Sequence, residues 1–115
     1  MTKTPLEIEV ERIEKEAVIK LSGRLDMNTS PDLRKAALTL CTKHKCKNLR
    51  VDLTEVSFID TSGLATFLEI LAATKDQCMQ LTLSGLNEGV RYLIDVNGLT
   101  GFFRIESSER ERLRA

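Results

Sequence analysis

Asp60-Thr61-Ser62-Gly63 gathers one carboxylate, two hydroxyls and a glycine immediately ahead of an apolar run. In that run Leu64, Phe67, Leu68, Leu71 and Ala72 recur at three and four, which predicts a helix opening at about Ser62 and lasting to about Asp76. A helix N-terminus leaves four N–H groups without intrahelical partners and carries about half a unit of positive charge, so an anion is favoured there. Three chemistries fit such a quartet. Asp60, Thr61 and Ser62 are residue types that accept from free N–H groups, and helix capping alone would account for them. A serine on a strand-to-helix turn also suggests a nucleophile. However, Asp60 and Leu64 stand where a Gly-x-Ser-x-Gly elbow requires glycine, and His44 is the only histidine in the chain. The third is phosphorylation of Ser62 or Thr61. The helix dipole tolerates a dianion that repels a partner docked on the same surface, and Asp60 adds to the negative charge. Gly63 would leave room for a phosphate or for another protein's backbone.

A second group, Cys41-Thr42-Lys43-His44-Lys45-Cys46, puts three metal-ligand types within six residues. It lacks a fourth ligand unless Cys78 joins it, and lysines crowd it with positive charge, so the cysteines are expected to pack as small apolar groups and no metal is expected. Gly85, Gly89, Gly98 and Gly101 have neither Walker nor dinucleotide spacing, so no nucleotide or other cofactor is expected. Lys43, Lys45, Lys47 and Arg50 form a basic cluster that reads as a solvated helix end.

The elements that must position the quartet follow from periodicity. Leu6, Ile8 and Val10 alternate with glutamates, predicting a strand over about 6 to 12; a second, from Ala17 to Leu21 and ending at Gly23, would pair with it as a hairpin. Ser30-Pro31-Asp32 marks a helix start, with Ser30 able to cap, and Leu33, Ala36, Ala37, Leu40 and Cys41 share a face as far as about His44. Leu49 to Leu53 alternates again, and Val56, Phe58 and Ile59 then lead into Asp60. Gln80 to Ser84 reads as a strand. Asn87-Glu88 opens a helix with Val90, Leu93, Ile94 and Val96 inward and Gly98 as its stop, and Phe102 to Ile105 makes a last strand. The expected fold is a single α/β domain of order β-β-α-β-α-β-α-β. It has a mixed, mostly parallel sheet with an antiparallel N-terminal hairpin and helices packed on it, and it occupies residues 1–106 ahead of a charged tail, 107–115. Sites in such sheets collect at the carboxyl ends of the strands, where Asp60 to Gly63 lies.

With 115 residues, 17 basic and 17 acidic side chains and a net charge of zero, the chain lacks the electrostatic footprint of a nucleic-acid binder. Three cysteines at no framework spacing fit a reducing compartment, the cytoplasm. No stretch approaches the roughly 20 apolar residues of a membrane span, and neither an export signal nor membrane insertion is expected.

Leu49-Arg50-Val51-Asp52-Leu53-Thr54, followed by Val56-Ser57-Phe58-Ile59-Asp60-Thr61-Ser62-Gly63-Leu64, closely resembles the signature of STAS domains, typified by bacterial anti-sigma factor antagonists. Leu21-Ser22-Gly23-Arg24-Leu25-Asp26 is similar to the family's Gly-x-Leu-Asp element, and the resemblance extends over about residues 6–106. It implies a binding switch rather than an enzyme. Ser62 matches the serine phosphorylated by an anti-sigma factor that is also a serine kinase, and Thr61 stands where the family often has serine, a possible second acceptor. The unphosphorylated form binds the kinase, the phosphorylated form releases it, and a PP2C-type phosphatase resets the switch. The implied partner surface comprises Asp26, Asn28 and Thr29 with Asp60, Thr61, Ser62, Gly63 and Leu64, on a protein expected to be a monomer with at most weak dimerisation. The family also supplies an alternative: a cytoplasmic STAS subunit that binds and regulates the ATPase of a lipid-trafficking ABC transporter.

Overall fold

The computed structural model describes residues 5–43 and 46–106. Among these, β1 (Leu6–Ile13) and β2 (Glu16–Leu25) form the antiparallel hairpin. They are followed by α1 (Ser30–Lys43), β3 (Asn48–Ile59), α2 (Thr61–Asp76), β4 (Gln80–Ser84), α3 (Glu88–Val96), a 3-10 turn (Thr100–Phe102) and β5 (Arg104–Glu106). The strands lie side by side in chain order, antiparallel between β1 and β2 and parallel thereafter. The expected order and the mixed sheet are therefore what the chain adopts.

Alternation along the strands separates the faces of the sheet. Ile19, Leu21, Val51, Leu53 and Leu83 join one buried cluster with Leu33 of α1, Phe67 and Ile70 of α2, and Val90 and Ile94 of α3. On the other parity lie Lys20, Arg50, Asp52 and Thr82. Arg50 does not belong to a solvated basic cluster: its Nε donates to Glu16 at 2.7 Å and its Nη2 to Glu106 at 3.1 Å, tying the middle of the sheet to β2 and to the end of β5. Lys45 and His44 fall outside the described residues, as do the expected tail 107–115 and the last residue of the expected first helix.

Several expectations are corrected. β2 does not stop at Gly23. That residue takes φ +117, a value that glycine reaches freely, and beyond it the strand shifts register against β3 and continues to Leu25. β3 runs on past Leu53, and β2 accompanies it through a register shift as far as Ile59. On α2 the buried stripe runs Gly63, Leu64, Phe67, Ile70 and Thr74, leaving Leu68 and Ala72 outward. Val96 faces solvent at the end of α3, and Phe102 belongs to the 3-10 turn rather than to β5. Ser30 is buried and its hydroxyl finds no hydrogen-bond partner among the described residues, so it does not cap α1.

Candidate functional site: two helix starts at the end of the parallel strands

β2 and β3 run parallel with Leu25 opposite Ile59, so the loops that leave them emerge together, joined by the Asp60 N–H donating to the Leu25 carbonyl at 3.2 Å. Each loop turns into a helix, and the two helices pack against each other. Arg34, in the second turn of α1, donates to Glu69 of α2 at 2.5 Å.

At the start of α2, Asp60 is extended and its Oδ1 accepts from the Ser62 N–H at 2.8 Å and the Gly63 N–H at 3.2 Å. The Leu64 N–H donates to the Asp60 carbonyl at 3.2 Å. Two of the four N-terminal donors, those of Ser62 and Gly63, are therefore taken by the Asp60 side chain, and the Leu64 bond is the first of the helix itself. The capping chemistry is real, but it is Asp60 that performs it. The side chains of Thr61 and Ser62 make no hydrogen bond among the described residues; Thr61 is exposed and Ser62 partly buried. The Ser62 hydroxyl is thus in reach of the surface rather than fully uncovered. Among the described residues no carboxylate is hydrogen-bonded to it.

Gly63 sets how deeply the helix sits. A Cβ built there would lie 2.7 Å from Ile59 Cγ1 and 3.0 Å from Leu25 Cδ2, so a side chain is excluded by the ends of β2 and β3 themselves. Its role is to let α2 close onto the strands, not to leave room for a phosphate, since it is buried. Leu64 is buried beside it.

The β2–α1 loop brings Asp26, Asn28 and Thr29 to the same end. Asp26 Oδ1 accepts from the Asn28 N–H at 2.9 Å and the Thr29 N–H at 3.2 Å. Thr29 is 4% exposed; its hydroxyl accepts from the Asp26 N–H at 2.9 Å and donates to the Arg24 carbonyl at 2.8 Å. Asn28 is exposed and Asp26 partly so. Of the eight residues expected on a partner surface, Thr29, Gly63 and Leu64 are turned inward and shape the site from beneath, which leaves Asp26, Asn28, Asp60, Thr61 and Ser62 at the surface.

Periodicity gave no notice of two exposed apolar side chains at this end. Met27 projects from the β2–α1 loop, and Phe58 lies at the end of β3 with the Arg24 guanidinium 4.2 Å from its ring centre. Phe58 was legible only as an apolar residue; its outward placement depends on the register shift beside Gly23.

Among the described residues no three potential metal ligands come together. Cys41 and Cys46 belong to the core and Cys78 is exposed; burial, then the neighbouring Cys46, pushes the Cys41 thiol up. No described helix is long and apolar enough to cross a membrane.

A model of the STAS domain matches residues 7–112. The chain is 31% identical over 93 residues to the anti-sigma-B factor antagonist of Listeria monocytogenes, covering 81% of each chain. Among solved structures it resembles an anti-sigma factor antagonist from Mycobacterium paratuberculosis, with TM-score 0.75, 26% identity and coverage of 95% of this chain and 92% of that one. The anti-sigma factor antagonist SpoIIAA shares the fold in its unphosphorylated form, with TM-score 0.78, 20% identity and 93% of each chain covered. It also does so in its phosphorylated form, with TM-score 0.71, 19% identity and coverage of 94% of this chain and 97% of that one.

Proposed function

Because the chain belongs to the STAS domain family, we propose that it is an anti-sigma factor antagonist whose binding is controlled by phosphorylation of Ser62. The partner is an anti-sigma factor that is also a serine kinase; a PP2C-type phosphatase removes the phosphate, and Thr61, the more exposed hydroxyl, is a second acceptor. The protein acts in the cytoplasm, as a monomer, by binding and not by catalysis.

The observation that carries this reading is the division of labour at the start of α2. Asp60 holds the Ser62 and Gly63 N–H groups, while the Ser62 hydroxyl has no hydrogen bond within the described chain. Phosphorylation adds about 1.5 to 2 negative charges. The Ser62 and Gly63 N–H groups are already committed to Asp60, and the arginines of this end are engaged as well, Arg24 with Asp26 and Phe58 and Arg34 with Glu69. The helix dipole keeps the phosphate tolerable to the fold, yet little among the described residues neutralises it. Its charge is therefore presented to whatever docks there, and repulsion together with desolvation falls on the complex. The switch needs no rearrangement of the sheet.

Affinity for the purified anti-sigma factor kinase of the same organism tests this. Ser62→Ala is expected to bind as the unmodified chain does and Ser62→Asp to bind about ten-fold or more weakly, a difference of about 1.4 kcal/mol or more. Equal affinities would remove the electrostatic mechanism.

A further inference from the structure

β3 is longer than the sheet around it. It runs Asn48–Ile59, yet β4 pairs only with Asn48–Asp52, because β4 stops at Ser84 and the chain turns away into α3. Beyond Asp52, β2 still accompanies β3 on one side. On the other side the chain supplies a side-chain substitute for a strand: Asn87 Nδ2 donates to the Val56 carbonyl at 2.9 Å. Past that bond, among the described residues, no strand runs beside Ser57–Ile59 on the β4 side. An unpaired strand end with its backbone polar groups available is a template for one more strand.

This edge borders a groove of about 250 Å³ between β3 and α3, lined mainly by apolar surface from Phe58, Ile59, Val90, Tyr92 and Leu93. Tyr92 is 67% exposed and Phe58 39%, so two aromatic side chains flank the opening. Gly89, in the first turn of α3, also lines it. A glycine within a helix costs up to about 1 kcal/mol relative to alanine. Nothing in the fold demands one here: its φ is not in the left-handed region, and a Cβ would meet only Asn87 Oδ1, at 3.4 Å. The missing side chain keeps the groove open beside the strand edge, as glycine does where another backbone approaches closely.

We infer that the groove receives an extended segment of the partner protein, which adds as a strand along Ser57–Ile59 and lays an apolar side chain against Phe58 and Tyr92. This rests on the partner-binding reading above and extends it to a second point of contact. Ile59 directly precedes Asp60, so the groove is continuous with the switch and one partner covers both. Main-chain pairing there supplies affinity that does not depend on charge, while Ser62 supplies the control.

The test measures binding of the full-length chain to the purified anti-sigma factor kinase by calorimetry, together with amide hydrogen exchange across residues 57–59 in the free and bound states. Gly89→Leu fills the groove and is expected to weaken binding about ten-fold with a melting temperature no lower than that of the unaltered chain, Tyr92→Ala to weaken it less, and the complex to slow exchange at Ser57–Ile59. Should Gly89→Leu fail to fold, Tyr92→Ala and the exchange data decide. Unaltered affinity in the folded variants, or unprotected amides in the complex, would overturn the inference. If Ser62→Asp still weakened binding in that case, the switch would stand without the groove. Indifference to Ser62→Asp with sensitivity to Gly89→Leu would instead strike the switch and leave the groove.

Discussion

The two helix starts at the end of the parallel strands are built alike and finished differently. In each, an aspartate two and three residues ahead accepts from two backbone N–H groups, Asp26 from Asn28 and Thr29, and Asp60 from Ser62 and Gly63. Around Asp26 the neighbouring hydroxyls are sealed: Thr29 is buried and bonded in both directions, and Ser30 is buried. Around Asp60 they are open, since neither Thr61 nor Ser62 spends its hydroxyl within the described chain. An aspartate that holds two backbone N–H groups, in the turn before α1 or at the cap of α2, is thus no sign of function by itself. What distinguishes a switch from a cap is a hydroxyl that the cap leaves idle.

The largest expected effect comes from lifting the open start off its strands. Gly63→Val places atoms where Ile59 and Leu25 already stand, and over-packing of this kind costs about 3 kcal/mol, seen as a melting temperature lower by more than about 10 °C. A wild-type melting curve would mean that the start of α2 is not closed on β2 and β3.

Next comes the contrast between the hydroxyls. Thr29→Val strands the Asp26 N–H and the Arg24 carbonyl, a loss of about 2 kcal/mol in chemical denaturation, whereas Ser62→Ala should stay within about 0.5 kcal/mol of the unaltered chain. Similar losses at both positions would erase the distinction between sealed and open. The smallest effect concerns Ser30. If its hydroxyl is buried without a partner, Ser30→Ala is neutral or stabilising by up to about 1 kcal/mol; a loss of about 1 kcal/mol would restore it as a cap.

Short-range pattern made much of this legible. Alternation located Gln80–Ser84 to the residue, Asn87 was readable as the cap of α3, and the Asp60 to Gly63 quartet announced the start of α2. What escaped depends on partners distant in the chain. The alternation of Leu49 to Leu53 lapses at Thr54-Glu55, and the pairing with β2 that carries β3 on to Ile59 has no local signature. Arg50 reads as part of a basic cluster until Glu16 and Glu106 arrive on either side. Ser30-Pro31-Asp32 has the composition of a capped start, but the Asp26 and Thr29 bonds already organise that turn. Within the candidate site the residue types were readable and the burial was not, so Thr29 and Leu64 looked equivalent to Asn28 and Thr61. The groove beside Ser57–Ile59 had no local signature at all, because it exists only where β4 ends early against a longer β3.

The most direct test of the open-start account is to map phosphate by mass spectrometry after incubating the full-length chain with the anti-sigma factor kinase of its organism and ATP. The account predicts modification at Ser62, with or without Thr61, and none at Thr29 or Ser30. Phosphate confined to any other residue, or no phosphate on a chain that binds the kinase, would contradict it.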